Sequence, residues 1–495
     1  MNHEPLPICV FCTPGKQKTC SRPAASDGGG LCELHRKRDG TEGRLMCARC
    51  SQSVPALHRL RHENVCSAKR DEPTYCIKGC NVNFGEEGGQ RDGHGQGGPM
   101  EEEGEKADTE GASDEASDTA LAHRLLALYK LHVAPHITTM HLDMLPEVAA
   151  CLRMEQRGMH GQATHRFDKH RRQEASIAGH LLRAGLVAAA GAGAALDRGK
   201  CTEAELGAEA EVPNDVTILD MGSGKGSLCL SLSKVFSQPS VAFCCIDRQP
   251  YQQQAEKTIH TGQRRFRARV DLADVDLCAA LRSAQQQGRL AEPGAVVGVG
   301  KHLCGSALDY ALNAMRRLRT AEAEELSACE AAAGRPASGA SLIRARLRGL
   351  AIASCCHSGI ASLRATAAGD WLRQTCGLDE DDFAKVRKWC GAFALGSDGG
   401  GANESREELG PSNPNPNPNP NPNPNPNPNP NPNPNPNQNE SREELGRACK
   451  RLIDFGRCDF VRRHLGMRDA RLVYYVPTSV SPENCMILAA RGAEE

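Results

Sequence analysis

Apolar residues are unevenly spaced along this chain, and the change in their period divides it into regions. From Asp215 onward, short apolar runs alternate with segments whose apolar residues recur at helical spacing. The runs are "VTILDMG", "VAFCCID", "RARVDL", "AVVGVGKH" and "LRGLAIASCC". Each is short and bounded by segments of helical spacing, which predicts strands. Strands alternating with helices predict an α/β fold built on a doubly wound, mostly parallel sheet. Two late runs, "RLVYYVP" and "NCMILAAR", are expected as an antiparallel edge to it. Upstream, helical periodicity starts near Ala120 in "ALAHRLLALYKLH" and returns in "EASIAGHLLRAGLVAAA".

The remaining stretches lack such patterning. Residues 1 to about 82 are rich in Cys and His with too few apolar residues for a core of their own, so a metal staple is expected. Residues 85–119 turn to Gly, Glu, Asp and Ser, the composition of a disordered acidic linker. Asn413–Pro436 is an unbroken Asn-Pro repeat flanked by two copies of "NESREELG", at Asn403–Gly410 and Asn439–Gly446. Every second residue there lacks an N–H, which excludes a helix interior or a central strand. It is read as an insert spanning about 397–440, with one copy of "SREELG" belonging to the fold.

Composition narrows the class. The formal net charge is −1, so any nucleic-acid affinity must come from local patches. No run of roughly 18 apolar residues and no secretory signal is evident, so a nuclear or cytoplasmic protein without a membrane span is expected. With 24 cysteines in 495 residues, metal ligands and buried thiols are the better reading than a disulfide framework.

Two clusters have metal-ligand spacing. The first is Cys9-x10-Cys20-x11-Cys32-x2-His35, with Cys12 able to replace Cys9. The second is Cys47-x2-Cys50-x11-His62-x3-Cys66, with His58 competing for the third position. Sets of four soft N/S ligands suit tetrahedral, structural Zn²⁺.

The richest motif is "ILDMGSGKGSL". Its glycines, Gly222, Gly224 and Gly226, fit neither a Walker A loop nor a G-x-G-x-x-G fingerprint. An acid closing a strand, then alternating glycines, then a helix is the form of an S-adenosylmethionine loop in Rossmann-like methyltransferases. Asp220 closes the strand. Asp247 lies at the end of the second strand, where an acid takes ribose hydroxyls, and Asp271 at the end of the third. Lys301, His302 and Cys304 follow the fourth strand, and Cys355, Cys356 and His357 the fifth, so all are expected around one crevice. The set Cys304, Cys355, Cys356 and His302 contains no C-x2-C spacing, and a metal is not expected there.

Taken together, "CVFCTPGKQKTC…LCELH", "HENVC…EPTYCIKGCNVNF", "KHRRQEASIAGHL", "ILDMGSGKGSL", "CIDRQ", "VGVGKHLCG", "ASCCHSG", "SREELG", "KRLIDFGRCDFVRRHLG" and "SPENCMILAA" make the chain resemble a known family. It is the eukaryotic tRNA 2′-O-methyltransferases acting on nucleotide four of the acceptor stem. The resemblance implies a CCCH-type finger (1–40), a CHHC-type finger (41–84), the linker, a helical region (120–212) and a class I methyltransferase domain (213–495). It further implies S-adenosylmethionine as cofactor, structural Zn²⁺ and tRNA as partner, with no obligate protein partner. His302 is the favoured general base because imidazole titrates near neutrality. Lys301 and His357 are its rivals.

The chain departs from the family pattern in four places. Cys50 stands where a histidine is expected, giving a C-C-H-C set. Gln173-Glu174 replaces Gln-Gln, Ser358 replaces a second histidine after "CCH", and "QPYQQQAEK" replaces a basic stretch. Basic runs elsewhere ("HRFDKHRR", "RRFRAR", "RARLR", "RRHLGMR") are candidate RNA contacts. Two other readings compete: methylation of a base nitrogen, and a non-catalytic zinc-finger RNA-binding protein on a vestigial fold.

Overall fold

The computed structural model describes residues 44–46, 53–55, 73–84, 111–152, 163–188, 215–251, 254–291, 294–331, 346–392 and 436–492. The chain divides into two compact units, Met1–Thr74 and Tyr75–Glu495. In the first unit, strands β1 (Arg44–Met46) and β2 (Ser53–Pro55) pair antiparallel, Leu45 opposite Val54. Every cysteine and histidine in the two expected zinc sets (Cys9, Cys20, Cys32, His35, Cys47, Cys50, His62, Cys66, and the alternates Cys12 and His58) lies outside the described residues.

The second unit is built on one eight-stranded sheet. Its strands in chain order are β3 (Ile137–Thr139), β4 (Val216–Met221), β5 (Val241–Ile246), β6 (Arg265–Ala268), β7 (Ala295–Leu303), β8 (Arg346–Ser354), β9 (Arg471–Tyr474) and β10 (Cys485–Ala490). Across the sheet the order is β3-β9-β10-β8-β7-β4-β5-β6. All neighbours are parallel except at β10, which runs against both β8 and β9. The fold is thus α/β with a mostly parallel sheet.

The uninterrupted apolar runs explain the layering. All six residues of β4 and of β5 are buried, and successive side chains point to opposite faces. Leu219 and Met221 join Cys244, Leu350, Leu452 and Val461 in one core. Ile218 joins Phe243, Val297, Ile177 and Leu232 in the other. The helices supplying these layers are α1 (Gly111–Leu128), α2 (Pro146–Cys151), α3 (Ala163–Arg183), α4 (Ser227–Val235), α5 (Leu277–Gln286), α6 (Ala307–Ala331), α7 (Gly369–Gln374), α8 (Glu380–Ala392) and α9 (Pro436–Leu465). Asp276 caps α5, its carboxylate accepting the Ala279 N–H at 2.9 Å.

Several details differ from the sequence reading. β10 is antiparallel as expected but interior, because it pairs with β8 on one side and β9 on the other. The edge strand is instead β3, three residues too short to show a period. Helix α1 begins at Gly111, inside the stretch read as linker. Residues Tyr75–Phe84, read as part of the second finger, pack on the sheet unit. There Asn81 Nδ2 donates to the carbonyls of Leu272 and Val275 at 2.8 Å each, and Asn313 holds the Asn81 carbonyl at 3.1 Å. The second "SREELG" copy lies in α9, and the first lies outside the described residues.

Candidate active site

From β4 the chain winds outward through β5 and β6, then returns to the opposite side of β4 as β7. In open α/β sheets such a switch point leaves a crevice beyond the strands' carboxyl ends, where ligands sit. On its β4 side the wall is mostly backbone. Gly222, Gly224 and Gly226 all have left-handed φ, at 64°, 52° and 81°, which glycine alone adopts without strain. A Cβ on Gly222 would meet Leu303 Cδ2 at 2.4 Å, and one on Gly226 would meet Glu256 Oε2 at 2.2 Å. Gly224 is different: its nearest neighbour is Tyr251 Oη at 3.9 Å. The Ser223 N–H donates to the Ile246 carbonyl at 3.0 Å, anchoring the loop to β5.

Three acids were expected here. Asp220 is buried and its Oδ2 has no hydrogen-bond partner among the described residues. Burial raises its carboxyl pKa to about 7, against the opposing Cys229 contact and Arg267 charge. Asp247 accepts the Gly224 N–H at 2.7 Å through one oxygen and the Gln249 N–H at 2.7 Å through the other. Asp271 sits in the turn three residues beyond β6, not at the strand's end. It accepts the Ala273 N–H at 3.1 Å and pairs with Arg248 at 3.1 Å.

On the β7 side the wall is made of side chains. Lys301 Nζ pairs with Glu174 Oε1 at 2.8 Å, both nearly sealed from solvent, and Ser231 donates to the other Glu174 oxygen at 2.6 Å. Burial pushes the Glu174 pKa up, but the Lys301 charge and the hydrogen bonds from Lys301, Ser231 and Ser227 outweigh it and hold it below the usual range. Gln173-Glu174, a departure from the family pattern, thus supplies the counter-ion of Lys301.

His302 is exposed and, among the described residues, the only non-glycine with positive φ, at 65°. A strained residue at a strand end is a marker of a functional position. Crowding by neighbouring segments, then the charges of Lys301, His170 and Lys169, depress its imidazole well below the usual range. The open ring edge tempers the first of these causes, and the ring is neutral at pH 7. His170 packs edge-on against it at 5.6 Å between centroids.

His357 does not share that opening. Its side chain is fully buried, with Nε2 at 2.7 Å from Asp454 Oδ1 and Nδ1 at 2.9 Å from the Cys355 carbonyl. Each ring nitrogen therefore already faces an oxygen acceptor inside the protein. Asp454 also receives Ser354 Oγ at 2.8 Å and Arg457 Nη1 at 3.2 Å, and Arg457 grips Asp309 through Nε at 3.0 Å and Nη2 at 2.6 Å. Burial would raise the Asp454 pKa, yet His357, Arg457 and Arg451 together hold it far below the carboxylate range.

The sequence reading missed Glu174, Glu256, Arg267, Asp454 and Arg457. Arg267, counted within a basic run, is turned inward, with Nε on Glu256 Oε1 at 2.5 Å beneath Gly226. Arg172 and Arg462 are likewise spent internally, on Asp143 and on the Ala470 carbonyl. Arg171, Arg264 and Arg468 remain exposed. The available signal was charge at a position the apolar period assigns to the core, as at Glu174 and Asp454.

An open, doubly wound sheet with a glycine-turn crevice at its switch point and polar side chains opposite defines a Rossmann-like α/β class that includes the methyltransferases. The family model described as Methyltransferase TRM13 matches residues 173–490, and the chain belongs to that family. A relative from Yarrowia lipolytica (strain CLIB 122 / E 150), described as "tRNA:m(4)X modification enzyme TRM13", is 28% identical over 192 residues. That match covers 38% of this chain and 34% of the relative, so it spans about a third of the relative's length. No helix among the described residues is long and apolar enough to cross a membrane.

Proposed function

We propose that this methyltransferase transfers a methyl group from S-adenosylmethionine to the ribose 2′-hydroxyl of nucleotide four in the tRNA acceptor stem. The observation that carries the proposal is the pairing, across one switch point, of three left-handed glycines with Lys301 and His302 at the end of β7. The Yarrowia lipolytica relative, described as a tRNA modification enzyme, supports the substrate class.

The residues fit the cofactor on two counts. Asp220 offers a buried oxygen without a partner among the described residues, and a Cβ on Gly224 would be no closer than 3.9 Å to any described neighbour, Tyr251 Oη. Asp220, the glycine loop, Asp247 and Asp271 would hold the cofactor, which supplies an electrophilic methyl carbon. Asp247 already ties down the Gly224 N–H, so the loop is ordered in advance of binding. Most of the rate is then positional. His302, neutral and exposed, accepts the hydroxyl proton. With its imidazole depressed it is a weaker base than one titrating near neutrality, so the positional contribution is the larger. Lys301, locked to Glu174, keeps a fixed positive charge beside it. His357 holds the turn after β8 in place. Exposed Arg171, Arg264 and Arg468 would meet the RNA backbone, giving binding that weakens with salt. The expected zinc sets, Cys9, Cys20, Cys32, His35 and Cys47, Cys50, His62, Cys66, would close small structural modules that assist in gripping RNA.

Calorimetry with S-adenosylmethionine, followed by ribose-methylation mapping of total tRNA before and after gene deletion, tests the reading. Loss of one methylated ribose in the acceptor stem is expected. A chain that binds tRNA but not the cofactor is a scaffold instead, and a lost base methylation moves the target to a nitrogen. His302→Ala should slow single-turnover methylation on the order of 10²-fold, the low end for a general base, with cofactor affinity retained. A near-normal single-turnover rate removes His302 from the proton transfer.

A further inference from the structure

The turns that follow β7 and β8 are pressed together. The Gly305 N–H donates to the Cys356 carbonyl at 2.8 Å, and the Ala361 N–H donates to Ser306 Oγ at 3.0 Å. A Cβ on Gly305 would lie 2.6 Å from the Gly359 carbonyl oxygen. This close approach brings together three thiols from two strand ends. Cys304 Sγ lies 3.9 Å from Cys355 Sγ, Cys355 Sγ lies 3.5 Å from Cys356 Sγ, and all three sulfurs fall within 4.8 Å of one another. Zn–S bonds of about 2.3 Å place the sulfurs of a tetrahedral site about 3.8 Å apart. The two closer spacings, 3.9 and 3.5 Å, lie within a few tenths of an ångström of that value, and the third is no more than 4.8 Å.

The turn after β8 that carries Cys355 and Cys356 continues directly into His357. His357 is itself pinned by Asp454 and by the Cys355 carbonyl, so the segment bearing two of the sulfurs is held from behind. Cys304 is exposed, which leaves one side of the trio open. Another grouping, Asp220 with Cys229 and Cys245, is wholly buried. Its sulfurs, at 3.2 Å, are too close for tetrahedral corners. It has no open side and reads as packed thiols. The sequence brings these three cysteines together with His302 as a candidate set, but without C-x2-C spacing no metal is expected from it; Cys304 and Cys355 are 51 residues apart and Cys355 and Cys356 are adjacent.

We propose that Cys304, Cys355 and Cys356 bind one Zn²⁺ ion as three thiolates, with the fourth coordination position facing solvent. The site clamps the turn after β7, next to Lys301 and His302 at the strand's end, to the turn after β8. Zinc displaces the three thiol protons, and no redox partner is needed. This proposal does not rest on the methyl-transfer reading and stands or falls by metal content.

The test uses the full chain, reduced, stripped with chelator and reloaded with Zn²⁺ alone. Zinc per chain is then measured for the wild type and for Cys304→Ser/Cys355→Ser, which share the same amino-terminal cysteines. The double variant should hold one equivalent less. After Co²⁺ loading it should also show a smaller thiolate-to-cobalt charge-transfer band. Equal zinc content in the two folded proteins overturns the proposal. So does a Cys304–Cys355 disulfide that persists in reductant and excludes zinc. Should the double variant fail to fold, Cys304→Ser decides the matter, since that side chain is exposed. It should lower zinc affinity in competition with a chromophoric chelator by more than the roughly 10–100-fold that loss of an outer partner costs. An unchanged competition curve overturns the site.

Discussion

The two walls of the crevice are made in different ways. The β4 wall is mostly backbone: three left-handed glycines beside a buried aspartate. The β7–β8 wall is side chains: an ion pair between Lys301 and Glu174, then the buried chain His357–Asp454–Arg457–Asp309 behind it. The first depends on the absence of Cβ atoms. The second depends on the completeness of its charge pairing, because a buried charge without its partner costs far more than the pair contributes. One wall should therefore fail locally and the other globally.

Substitutions can separate these behaviours. The largest effect belongs to Arg457→Ala, which leaves Asp309 and Asp454 buried and short of a cation. Urea unfolding should show a loss of about 3–5 kcal/mol. A loss below 1 kcal/mol would mean that the network does not hold this wall. Next comes the glycine pair. Gly226→Ala combines a left-handed residue with a collision against Glu256, and should cost about 2–4 kcal/mol. Gly224→Ala meets no protein atom closer than 3.9 Å and should cost only roughly 1–2 kcal/mol, yet abolish cofactor binding by calorimetry. Equal losses of stability in the two variants would contradict the geometry.

The last effect is a dependence on pH. The Asp220 pKa is raised from 3.8 to about 7 by burial, so between those values the folded state holds a proton that the unfolded chain has lost. Its contribution to stability is complete below pH 3.8 and is lost as pH rises through about 7. Asp220→Asn carries no such charge. Its melting temperature relative to wild type should therefore climb between pH 5 and pH 8. A flat difference would mean that Asp220 ionises freely.

The same contrast explains what could be read from sequence. The β4 wall lies within seven residues, Asp220 to Gly226, and its strand–glycine–helix order is local, so it was legible. Lys301 and His302 were legible because they end an apolar run. The other wall was not. Glu174 is 127 residues from Lys301, Asp454 is 97 from His357, and Asp309 is 148 from Arg457. Charge spacing along one chain cannot pair residues so far apart. His357 accordingly looked like a rival base, and only its buried partners show how it is engaged. For the strands, composition gave existence but not order. β10 was recognisable as an apolar run, whereas its seat between β8 and β9 depends on contacts more than a hundred residues away from β8.

That seat has a consequence for biosynthesis. β10 emerges from the ribosome after all other strands of its sheet, yet β9 and β3 join the rest only through it. Until it arrives, the nascent chain carries β8 with an unpaired flank, an open template for wrong pairing. Such late, long-range closure is slow. Chaperone demand should therefore fall most heavily on the interval between completion of β8 and release of β10.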